Sequence, residues 1–170
     1  MKRFLLLAGI FCLLISLQFG LIASLPGWLA LTPLLPVASL SFSIHFGKRE
    51  ALWWLVGQGI FLDYFHLGFV PWETVSFAFA AAVVFFCARH VFSGRSLYGI
   101  AACAIALQTS LFLSEGGMLF LADLRGIPSL PWPLFLTLSL QQGMLLLGLS
   151  ALAFVKSAPM KKGVSFYETL

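Results

Sequence analysis

Asp63 and His66 stand three residues apart inside an apolar run, and their types and spacing offer the clearest chemistry in this chain. The run is Trp53 to Phe69, WWLVGQGIFLDYFHLGF, and it also carries Gly57, Gly59 and Gly68. A carboxylate inside hydrocarbon costs roughly 2.5–3.5 kcal/mol on insertion scales, so it turns toward other helices or toward water. On a helix Gly59 precedes Asp63 by one turn and His66 follows at i+3, which places all three on one face. Glycines on that face let a neighbouring backbone approach closely. Two readings stand side by side. The pair can act as a proton relay, an ion site or a partner-recognition spot. Alternatively it is a buried Asp–His or Asp–backbone tie near a helix end.

Other polar residues within apolar surroundings are few. Gln108 with Thr109 and Ser110, and Gln141 with Gln142, can bond across helices for about 0.6 to 2 kcal/mol each. The ladders Ala78-xxx-Ala82 and Ser139-xxx-Gly143 permit close helix approach. Pro33 and Pro36 interrupt an apolar segment, and each removes a helical hydrogen bond. They kink a membrane helix there, as in the broken helices of transporters, or stand near the start of a shorter one. Cys12, Cys87 and Cys103 lie far apart without metal-ligand spacing and read as small apolar residues. No metal site, P-loop, dinucleotide loop or GxSxG elbow occurs. Phe120-Leu121-Ala122-Asp123 faintly resembles the Asn-x-Ala-Asp motif of lipoprotein signal peptidases, but this chain contains no asparagine. The expectation is a protein that is not an enzyme and binds no cofactor or metal.

The elements that position these residues follow from composition. Of 170 residues, 61% are hydrophobic and 9% charged, against about 25% charged in soluble domains. The mean hydropathy is +1.01. These values describe an all-α integral membrane protein with a single polytopic domain over 1–170. A span takes about 20 apolar residues, which predicts six transmembrane helices over 4–23, 29–46, 51–69, 75–92, 97–114 and 134–155. A short basic tail, 156–170, follows. The stretch 115–133 reads as an outer loop or a re-entrant segment. Met1-Lys2-Arg3 before an apolar run resembles a secretory signal, but a run of about 20 residues exceeds the 7–15 of a cleaved one, so the first span is read as retained.

Charge then sets orientation. Lys2, Arg3, Lys48, Arg49, Arg89, Arg95, Lys156, Lys161 and Lys162 fall on one side of a six-span arrangement, and Arg125 alone falls on the other. The positive-inside rule gives N-in and C-in. The net charge of +4 is therefore topological and implies no nucleic acid. Trp28, Trp72 and Trp132 fall at the outer loops, where interfacial aromatics belong.

The run from Pro36 through Phe92 resembles the rod-shape-determining MreD family of bacterial inner-membrane proteins. The likeness rests on Pro36 opening an apolar span, on Gly59-x-x-x-Asp63 in the next span, on the following Leu67-Gly68, and on the basic residues Arg89 to Arg95 that end the fourth. Val37 replaces the polar residue that commonly follows the proline, and His66 stands where the family often has small or apolar residues. The resemblance implies a non-catalytic component of the cell-elongation machinery in the inner (cytoplasmic) membrane. Its partners there would be an MreC-like protein, RodA and a transpeptidase, with MreB reached indirectly. They would direct lateral peptidoglycan synthesis, with no small-molecule substrate expected.

A competing class is the substrate-binding S component of energy-coupling-factor vitamin transporters, to whose six-helix bundle the MreD fold is similar. Under that reading Asp63, His66, Gln108 and Gln141 line a small-molecule pocket. Small-xxx-small motifs on the first span would then dock a coupling subunit, but Phe4–Ala23 offers bulky residues around Ala8 and Gly9.

Overall fold

The computed structural model describes residues 2–25, 32–45, 52–66, 71–91, 97–126 and 131–157. Among these the chain is all-helical. Six α-helices follow in order: α1 Lys2–Ser16, α2 Leu34–His45, α3 Trp53–His66, α4 Trp72–Phe86, α5 Leu97–Leu124 and α6 Trp132–Ser157. α1 continues through a π-helical turn, Leu17–Leu21, and a 3₁₀ turn, Ile22–Ser24. α4 likewise continues through the π-helical turn Cys87–Val91. Three stretches are long and apolar enough to cross a membrane, Trp72–Arg89, Leu97–Leu124 and Trp132–Val155; Leu5–Leu21 and Leu34–Ser43 are shorter apolar helices.

Sequential helices pack as neighbours from α3 to α6, and α2 touches α1, α3, α5 and α6. The main core joins Leu40 of α2, Leu55 of α3, Phe77, Ala80 and Val84 of α4, Leu107 of α5 and Leu146 of α6. α1 packs more peripherally, through Leu7, Phe11 and Leu14 against Leu35 and Trp54. Large apolar side chains also face outward on α1, α3, α4, α5 and α6, Leu13, Ile60, Phe79, Leu113 and Leu152 among them. A helix that is apolar all round belongs in a core or in lipid, and these helices are apolar on their exposed faces too.

Several boundaries differ from those read in the sequence. The fifth segment was expected to stop at 114, before Glu115, with 115–133 as a loop or re-entrant stretch. Instead α5 runs on to Leu124 as continuous helix. Glu is a good helix former and a glycine costs about 1 kcal/mol, so Glu115-Gly116-Gly117 does not break a helix that the apolar Met118–Leu124 prolongs. The true stop is Gly126, whose positive φ of 67° forms a left-handed C-terminal turn, with its N–H donating to the Asp123 carbonyl at 3.0 Å. α4 begins at Trp72, directly after Pro71, and α6 at Trp132, directly after Pro131, because proline suits a helix start. The expected basic tail lies, beyond Ser157, outside the described residues.

Pro33 and Pro36 do not kink a helix. Pro33 precedes α2 and Pro36 occupies its first turn, where N–H groups have no intrahelical partner and a missing one breaks nothing. The donors at this helix start are all accounted for. Leu34 N–H donates to the Thr32 carbonyl, Val37 N–H to the Pro33 carbonyl, and Leu35 N–H to Oε1 of Gln18 at 2.9 Å. Gln18, in the π turn after α1, thus caps α2 from 17 residues away.

Candidate functional site

α4 starts without a cap of its own. Pro71 holds the N-cap position and makes no side-chain capping bond, so the first N–H groups of α4 need an acceptor from elsewhere. Asp63 supplies it. Its Oδ1 accepts the Glu73 N–H at 2.9 Å and its Oδ2 the Thr74 N–H at 2.8 Å. The Thr74 hydroxyl also donates to Oδ2. One carboxylate thereby satisfies two orphan donors, and its charge lies against the positive end of the α4 dipole.

Gly59, one turn earlier on α3, makes the approach possible. A Cβ there would lie 2.7 Å from both the Glu73 carbonyl oxygen and the Thr74 Cα, atoms of backbone that cannot swing aside. Gly59 and Asp63 are thus two halves of one device, in which the glycine admits the first turn of α4 and the aspartate binds it. Gly57 faces the other way. A Cβ on it would meet the Phe11 ring of α1 at 2.6 Å, so this glycine accommodates a side chain. His66 closes α3, and its side chain lies outside the described residues, as does the whole of Gly68.

The interhelical amides divide. Gln108 Nε2 donates to the Ser139 carbonyl of α6 at 3.0 Å, and Gly143 lies against it, with space for a Cβ only 3.0 Å from Gln108 Cγ. The Ser139-xxx-Gly143 ladder therefore seats the Gln108 side chain. Gln141 and Gln142 make no hydrogen bond among the described residues. Gln141 is exposed, because the inward stripe of α6 runs through Ser139, Leu146 and Ser150 and Gln141 lies on the opposite side. The Ala78 and Ala82 ladder is not filled by a helix. Both residues floor an apolar groove of ≈ 530 Å³ bounded by Leu52 just before α3, Trp53 and Val56 of α3, and Phe85 of α4.

Carboxylates gather at the end of the bundle where α3 meets α4. Besides Asp63, this acidic end holds Glu73 and Glu115, near enough for one charge to act on the other. It also holds Asp123, which accepts the Trp132 indole N–H at 2.7 Å and so ties the end of α5 to the start of α6. Among the described residues no cluster of His, Cys, Asp and Glu side chains could hold a metal ion. Among the described residues, buried side-chain polar atoms without a partner are the hydroxyls of Ser39, Ser41, Ser76 and Ser150, the Gln58 Oε1 and the Trp72 indole nitrogen.

Thr74 and Gln18 were missed by reasoning from sequence. For Thr74 a signal existed, since Pro71 cannot cap a helix and an acceptor had to come from another element. For Gln18 the signal was a lone amide in an otherwise apolar helix. No family model, curated protein or solved structure matches this chain. Fold and site together define an all-helical protein with membrane-competent helices, in which the most chemically suggestive residue of the sequence joins two helices.

Proposed function

We propose that this chain is a non-catalytic, multi-pass component of the bacterial cell-elongation machinery in the inner membrane, of the MreD type. On this reading six helices cross the bilayer with both termini in the cytoplasm, and the protein works by helix contacts with an MreC-like protein, RodA and a transpeptidase. The observation that carries the proposal is the use made of Gly59-x-x-x-Asp63, the segment in which the sequence most resembles that family. Its glycine and carboxylate are spent on the α3–α4 junction. Asp63 is engaged by backbone, and Gln108 by the Ser139 carbonyl, which supports a packing role over a ligand-lined pocket of the transporter kind. The wide apolar exposure of the bundle agrees with a protein whose contacts are made within the membrane.

Depletion in the native host tests this. Loss of the protein should turn rods into spheres and scatter the labelling of new lateral wall, with vitamin uptake unchanged. Normal shape with impaired uptake of a vitamin would overturn it in favour of the transporter reading.

A further inference from the structure

The groove between α3 and α4, taken with Arg89 one turn beyond it, matches the depth of one leaflet. Its floor is the stripe Ala78, Ala81 and Ala82, and its walls are Leu52, Trp53, Val56 and Phe85. It lies toward the end of α4 opposite Asp63, where α3 begins. From Ala78 the stripe continues through Ala82 and Phe85 to Arg89, spacings of four, three and four residues that keep one helix face. The last step crosses the widened π turn Cys87–Val91. Eleven residues at 1.5 Å give about 16 Å, against about 15 Å for half of a ~30 Å hydrocarbon core.

Arg89 is exposed and makes no hydrogen bond or ion pair among the described residues. Trp53, on the facing wall at the start of α3, is 72% exposed. Along the same face of α4 the apolar furrow is thus followed by a guanidinium about one leaflet's depth from Ala78, with an indole on the facing wall. Arginine matches a phosphate in a bidentate fork, and indoles favour the headgroup level. No helix among the described residues fills the furrow.

We infer that this groove is a binding site for one anionic phospholipid, with an acyl chain over Ala78 and Ala82 and the phosphate on Arg89 and Trp53. The inference rests on the chain lying in a bilayer and is independent of the elongation role. The alanines supply the depth that an acyl chain needs, and the cation selects the headgroup. A lipid held here would cover the α3–α4 hairpin on the side away from the core.

The test is native mass spectrometry of the full chain released from an equimolar mixture of phosphatidylglycerol and phosphatidylcholine. The wild type should retain one phosphatidylglycerol with about five- to ten-fold preference. Arg89→Gln should lose the preference, Ala82→Phe should lose the bound lipid, and Leu152→Phe on the exposed face of α6 should change neither. A second readout needs no groove-filling variant. Phosphatidylglycerol with brominated chains should quench Trp53 emission, taken as the difference from Trp53→Phe, more than brominated phosphatidylcholine does. Equal retention of the two lipids, or Arg89→Gln behaving as wild type, or equal quenching, would overturn the assignment.

Discussion

Replacing Asp63 by leucine removes the acceptor of two backbone N–H groups and one hydroxyl while keeping the size of the side chain. A hydrogen bond to a charged group contributes about 1.5–3 kcal/mol, and a buried donor left without a partner costs about 1–3 kcal/mol. Two amides are orphaned here. Pro71 beside them is exposed, so water reaches part of the turn and the lower half of each range applies. The sum is about 2–4 kcal/mol, or about 30- to 1000-fold in the local opening equilibrium. Asp63→Asn keeps one acceptor oxygen and loses the charge, which gives about 1–2 kcal/mol. Hydrogen–deuterium exchange on the purified protein, followed over the peptide that holds Glu73 and Thr74, reads this directly. Protection there should fall in the order wild type, Asp63→Asn, Asp63→Leu, while α6 amides change little. Wild-type protection of Glu73 and Thr74 in Asp63→Leu would refute the capping argument.

Four further outcomes follow, three from the helix contacts and one from the charge distribution. Gly59→Ala should destabilise by about 1–3 kcal/mol because its Cβ meets backbone. Gly57→Ala should cost less than about 1 kcal/mol, since the Phe11 ring can turn and alanine favours the helix; thermal denaturation of both variants compares them. Gln18→Ala should lower stability by about 1 kcal/mol and raise exchange at Leu35, whose N–H loses the acceptor supplied by Gln18 Oε1. A reporter active only outside the cytoplasm should give signal when fused after Glu73 and none after Arg95, and the reverse pattern would invert the orientation.

How much was legible depends on what each signal encodes. Spacing placed Gly59 and Asp63 on one helix face, and the structure puts both against the same turn of α4. Spacing says which residues share a face, however, and not what that face meets, so the capped backbone of α4 was one option among several. Charge misled at Glu115, because a carboxylate followed by two glycines reads as a span end although its helical cost is small beside the apolar Met118–Leu124 beyond it. The prolines left a kink and a helix start both open, because their effect depends on position within a helix, and the start of α2 at Leu34 is capped by Gln18, a residue distant in sequence. Gln108 behaved as an amide among apolar helices should. Gln141 did not, because a residue beyond the packed stripe of α6 has no neighbour to bond.

The proposed role is that of a helix-packing partner of the elongation machinery, held in shape by the Gly59–Asp63 junction. Its most direct test is purification of the tagged protein from native membranes in mild detergent, with co-purifying proteins identified by mass spectrometry, for the wild type and for Asp63→Leu. The account predicts an MreC-like single-span protein with RodA or a transpeptidase in the wild-type sample, and their loss from Asp63→Leu at equal membrane insertion. Recovery of paired ATPase subunits with a coupling protein, or an unchanged elongation set in Asp63→Leu, would contradict it.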